Sequence, residues 1–231
     1  MKPLQIACAA ALLCTTQLAV ANVQYTFYAN GVTENYSQQG SALFNFSNDG
    51  TSLSITLTDT VSPTAAIISE ITGLDFTMST APTSISLVSV TGGSVVNCTN
   101  SASPCPPGTG SSPYGWGALG FANSAALGAG FDGTGFSYQP YGIVNTNYLS
   151  AVGSGQLDSP STNPLLVGPV TFTFALTGMP YAPEVSSVVF KFGDPISLDS
   201  RQPIPEPKSL ALFAAALLAA GFVSRRRHGR A

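Results

Sequence analysis

The sequence predicts an all-β fold, an antiparallel β-sandwich ectodomain, on three observations. Apolar and Ser/Thr residues alternate with period two in several runs, clusters of Gly, Pro, Asn and Ser separate the runs, and no amphipathic helix of useful length interrupts them. The first run spans residues 23–29. In the next, Ala42, Phe44 and Phe46 alternate with Ser41, Leu43, Asn45 and Ser47, and after Asn48-Asp49-Gly50 the residues Leu53, Ile55 and Leu57 alternate with Ser and Thr. That pair predicts a hairpin, with Asp49-Gly50 supplying the positive φ of its turn. Further runs cover residues 74–78, 85–90, 170–176 and 185–192. In the run that begins at Val170, Phe172, Phe174 and Leu176 share one face with it while Thr171, Thr173 and Ala175 share the other, so one face packs and one meets solvent. Between residues 104 and 164 the texture changes to Gly, Ser, Asn and aromatics, which reads as long loops with short edge strands, a packed excursion or a mobile segment.

The chain has 231 residues, 44% of them hydrophobic and only 8% charged. Both ends read as addresses, and what lies between them is the body. Residues 1–21 place Lys2 before an apolar stretch and end in Ala19-Val20-Ala21, the order of a secretory signal peptide cleaved before Asn22. The ectodomain is expected over residues 22–200. Up to residue 204 that body carries ten acids against two bases, Lys191 and Arg201, a net charge of −8. So acidic a surface repels phosphate, which excludes a nucleic-acid partner. Cys98 and Cys105 remain after signal cleavage, and export to an oxidising compartment predicts a disulfide between them. Closing so short a loop contributes about 2.5 kcal/mol on the chain-entropy argument.

The other end, residues 203–231, runs through Pro205-Glu206-Pro207, an apolar stretch over residues 210–223, and Arg225-Arg226-Arg227. Those fourteen apolar or Gly residues, as a helix, reach about 21 Å, short of a hydrocarbon core of roughly 30 Å. Such a segment makes a marginal, transient anchor, with the arginines as a stop on the cytoplasmic side. The tripartite order resembles the PEP-CTERM sorting signal of Gram-negative bacteria, read by the membrane enzyme exosortase. Gly168 to Phe174 and Val188 to Gly193 also resemble strands of exosortase-sorted ectodomains. The resemblance implies an inner-membrane-anchored precursor, processing by signal peptidase and exosortase, and delivery to the cell surface or beyond it. It further implies a setting of exopolysaccharide and biofilm.

Chemistry is sparse. The one histidine, His228, lies in the tail that sorting removes, so the body has no imidazole base and no His-ligated metal. Gly128-Ala-Gly130-Phe-Asp-Gly133 matches nucleotide-loop spacing without the strand and helix such a loop needs. Asn48-Asp49-Gly50, Asp132-Gly133 and Asp194 offer oxygens to calcium, but turn chemistry explains them without a metal, and no cofactor is expected. The leading expectation is a non-enzymatic structural component of an exopolysaccharide or biofilm matrix. An alternative is a carbohydrate-binding module in which Trp116, Tyr138, Tyr141 and Tyr148 form a platform for sugar rings, set against the simpler reading that these aromatics plug the end of the sandwich. A third is a glycosidase built on a pair drawn from Glu34, Glu70, Asp75 and Glu184.

Overall fold

The structure, a computed structural model, describes residues 23–33, 36–61, 70–97, 107–108, 110, 112–121, 123–138, 140–146, 164–179, 181–193 and 196–200. Both expected addresses lie outside these residues, with Ala19, Ala21, Asn22, Pro205, Glu206, Pro207, Arg225, Arg226, Arg227 and the apolar C-terminal stretch. So do Cys98, Cys105, Glu34, Tyr148 and Asp194.

The described residues form eleven strands and no helix: β1 (Val23–Thr33), β2 (Tyr36–Phe46), β3 (Ser52–Asp59), β4 (Ile71–Met78), β5 (Ser84–Val96), β6 (Gly117–Phe121), β7 (Ser124–Gly128), β8 (Ile143–Val144), β9 (Leu165–Thr177), β10 (Val185–Phe192) and β11 (Ile196–Asp199). The predicted hairpin joins β2 to β3. Gly50 takes φ 69° in its turn, and Asp49 Oδ1 accepts from the Thr51 amide at 3.1 Å and the Ser47 hydroxyl at 2.6 Å. The side chain thereby closes the turn that the sequence placed there.

Pairing links all eleven strands into one network with two five-stranded arms. The first arm runs β1-β2-β3-β9-β5, and the second β11-β10-β4-β7-β6. Strand β8 joins them: Ile143 and Val144 run parallel to Leu166 and Val167 of β9, and Ile143 pairs antiparallel with Ile71 of β4. The sheet is therefore mixed, which corrects the expectation of a purely antiparallel arrangement. The reason is local. β8 is not a hairpin return but a crossing from one arm to the other, so its direction follows the crossing.

Alternation sends Phe44, Phe46, Leu53, Ile55, Leu57, Phe172 and Phe174 from the first arm into one core with Leu74, Phe76, Phe190 and Phe192 from the second. Rings from the two arms meet there, Phe44 on Phe76 at 5.2 Å and 73°, an edge-to-face contact. Each fully buried Phe contributes about 1.5–3 kcal/mol of transfer free energy. At the margins the arms also touch, through Gly31 against Leu198 between β1 and β11 and Gly120 against Ile85 between β6 and β5.

Candidate functional site

The outward face of the second arm carries an open groove of about 560 Å³. Its floor is made by residues that alternate out of the core, Asp75 and Thr77 of β4, Ser124 and Ala126 of β7, and Ser187 and Val189 of β10. The wall comes from the loop after β7, where the Phe136 and Tyr138 rings meet at a tilt of 43° with centroids 5.7 Å apart. Small residues in the sheet make room for these rings. A Cβ at Gly128 would stand 2.8 Å from the Phe136 ring, and one at Gly73 would stand 3.0 Å from Cε1 of Tyr138. The loop is pinned by the Tyr138 amide, which donates to the Ala129 carbonyl at 3.0 Å, and Tyr138 takes φ 60°, a region bulky residues avoid. Backbone held this way is over-determined by its surroundings.

At the Tyr138 end stands the ion pair Lys191 to Asp75, 3.0 Å, and the same ammonium donates to the Ser197 hydroxyl at 3.0 Å. Burial pushes the Tyr138 phenol above its ordinary value, the Asp75 charge adds to that and Lys191 opposes it. The phenol therefore remains a neutral donor and acceptor through the physiological range. The groove thus combines flat apolar rings, a fixed charge pair and hydroxyls from Thr77, Ser124 and Ser187.

The structure divides the expected aromatic platform. Trp116 is only 2% exposed; its ring packs on Phe172 at 4.8 Å and its Nε1–H donates to the Tyr141 carbonyl at 3.0 Å. It reaches the back of a second groove of about 510 Å³ beside β5, yet a ring so enclosed offers no face for a sugar to stack on. Trp116 is therefore corrected from a candidate sugar contact to a core residue, because Phe172 of β9 takes the face a ligand would need. Tyr141 is half-buried against Tyr114, 6.1 Å between centroids. Of the candidates among the described residues, Tyr138 alone lines the groove.

The expected acids also separate. Asp75 is the one carboxylate among the groove's described lining residues, while Glu184 lies on the exposed segment that meets Ser79. Glu70 is fully buried elsewhere, near Asp59. Two of the candidate calcium segments, at Asp49 and Asp132, are turns, and the third, at Asp194, lies outside the described residues. Asp49 is held low, to about 2, chiefly by the Ser47 hydroxyl and the Thr51 amide. Asp132 is held low by the amides of Thr134 and Gly135 and the Thr134 hydroxyl. In each, Oδ1 closes its own turn, taking the Ser47 and Thr51 donors at Asp49 and the Thr134 and Gly135 donors at Asp132.

Sequence reasoning missed Phe136 as part of the groove wall, and it missed Lys191 as the partner of Asp75. The signal for the second was present. Asp75 lies one position from inward Leu74 and Phe76, and Lys191 lies between inward Phe190 and Phe192, so both face out. No family model and no curated protein matches the chain.

Proposed function

We propose that this chain is an exported, non-enzymatic protein of the cell surface or extracellular matrix, a β-sandwich body released through exosortase sorting, that associates with exopolysaccharide. The observation that carries the sorting reading is the order of the C-terminal tail, Pro205-Glu206-Pro207, then an apolar stretch, then Arg225-Arg226-Arg227. The sandwich reading is supported by the meeting of the two arms over one core, Phe44 on Phe76. Mass spectrometry of protein released from the producing cell tests the sorting reading. The expected product begins at Asn22 and lacks the peptide containing Arg225 to Arg227, and deletion of residues 205–207 leaves the chain in the membrane. An intact C-terminus on the released protein contradicts it.

The groove on the second arm favours a carbohydrate-binding role within this reading. Sugar rings present apolar faces edged by hydroxyls, which suit Phe136 and Tyr138 beside Asp75, Lys191 and three Ser/Thr hydroxyls. Glycoside hydrolysis ordinarily needs two carboxyl groups flanking the bond. Among the groove's described lining residues the carboxylate is Asp75, and it is tied to Lys191, which suits a fixed polar contact to a bound glycan. Replacing Tyr138 by Ala weakens exopolysaccharide binding about tenfold on the strength of one aromatic contact with its buried area.

A further inference from the structure

One end of the core contains polar groups that the fold leaves without partners. On β3 the inward series Leu53, Ile55, Leu57 ends in Asp59, which is 2% exposed. Its Oδ1 accepts from the Val61 amide at 2.9 Å and its Oδ2 from the Asn145 amide at 3.1 Å. The Asn145 side-chain amide in turn donates to the Val61 carbonyl, so the chain beyond β8 is clasped to the end of β3. Glu70, just before β4, is fully buried, and neither carboxylate oxygen has a hydrogen-bond partner. Its carboxyl group lies over Gly142, where a Cβ would come within 2.5 Å of Cδ and Oε2. Gln38 on β2 is also fully buried with both amide atoms unpartnered. Register puts it on the same inward face as Asp59, because Gly40 pairs directly with Asp59 and Gln38 lies two positions along. That face meets Glu70's neighbour, since Ile71 Cδ1 would stand 2.8 Å from a Cβ at Gly40.

A carboxylate taken out of water costs several kcal/mol unless something pairs with it; Asp59 has only two amide donors and Glu70 has none, and the orphaned Gln38 amide adds to that cost. Among the described residues the only salt bridge is on the outer face, at Asp75, so no side-chain cation meets this pair. We infer that Asp59, Glu70 and Gln38 form a calcium site at this end of the core. The donors are all hard oxygens, two carboxylates and one amide carbonyl, in a set without sulfur or imidazole, which suits calcium and not the softer transition metals. Calcium also accepts irregular coordination of 6–8 oxygens, completed by water or backbone carbonyls, where magnesium demands a near-octahedral shell.

The test uses the full-length chain in detergent, first stripped with a chelator. Calcium at a hundredfold over its dissociation constant raises the unfolding midpoint by about 5–10 °C. Terbium in the same site gives sensitised emission, because Trp116 is bonded to the carbonyl of Tyr141, next to the glycine that Glu70 covers. Calcium competes that emission away. Glu70→Gln keeps the shape and removes one charge. It abolishes the calcium shift and the calcium-sensitive emission, while raising the midpoint measured in chelator. Asp59→Asn serves as a second variant if Glu70→Gln does not fold. An unshifted midpoint in the wild-type chain together with no calcium-sensitive terbium emission overturns the site. So does a calcium shift of equal size in the wild type and a folded variant.

Discussion

The outward faces of the two arms are built on the same alternation and differ in charge and in what lies over them. The first arm's strands, β1, β2, β3, β5 and β9, contain no Asp, Glu, Lys or Arg except inward Asp59, and their outer face is largely Ser, Thr, Asn and Gln. Thr56 and Thr171 hydrogen-bond across it at 2.8 Å, as do Ser84 and Thr177 at 2.7 Å. Thr77 and Ser124 make a longer contact of the same kind on the second arm, at 3.4 Å. On the second arm, aromatic rings from the loop after β7 settle over Gly73 and Gly128 beside an ion pair. A recess arises because small residues in a strand admit a wall from elsewhere. Alternation alone gives a flat surface.

The shared interior sets the scale against which the faces are compared. Phe44→Ala removes the ring that joins the arms to Phe76 and is expected to cost about 3–5 kcal/mol in chemical denaturation, the largest single-residue effect. Next in size is the response of the buried acids to pH in calcium-free buffer. Burial raises Asp59 to about 7 and drives Glu70 well above its usual range, with the Asp59 charge adding to the latter. The folded state then holds protons that the unfolded state has released. Stability is full below the ordinary carboxylate value and falls as pH rises from there, to about 7 for Asp59, at up to about 1.4 kcal/mol per pH unit for that group, with Glu70 contributing in the same direction. Urea midpoints between pH 4 and 8 check this, and a rise over that interval is the opposite sign.

Smaller effects separate the faces. Gly128→Val drives a side chain into the space of Phe136 and costs about 1–3 kcal/mol while closing the groove, measurable as lost glycan binding beyond the lost stability. Lys191→Met breaks the pair with Asp75 on a partly solvated surface and changes stability by no more than about 1 kcal/mol.

How much of this could be read beforehand depended on whether a residue's role was set by its own strand. The β2–β3 hairpin and β9 were legible because Phe, Leu and Ile alternate with Ser and Thr around an Asp-Gly turn. Strands β6 and β7 were not, since Gly-Ala-Leu-Gly-Phe and Ser-Ala-Ala-Leu-Gly carry little β-branched or aromatic signal. Their small residues make sense only once Phe131 over Gly117 and Phe136 over Gly128 are known. β5 was read as ending at Val90, but it passes through Gly92 and Gly93, which take positive φ at a register shift, and continues to Val96. The buried acids fall between these cases. Asp59 keeps the parity of Leu53, Ile55 and Leu57, a signal of inward direction in plain view, whereas nothing near Glu70 announces its burial. Trp116 was open to two readings because an aromatic in a glycine-rich stretch looks alike whether it faces glycan or Phe172.

The most direct measurement is the affinity for the producer's exopolysaccharide, by calorimetry, of the wild-type protein, of Tyr138→Ala and of the double variant Thr56→Val with Thr171→Val. The groove account predicts about a tenfold loss for Tyr138→Ala and none for the threonine pair. Unchanged binding by Tyr138→Ala, with loss in the threonine variant, would move the interaction to the flat face and contradict it.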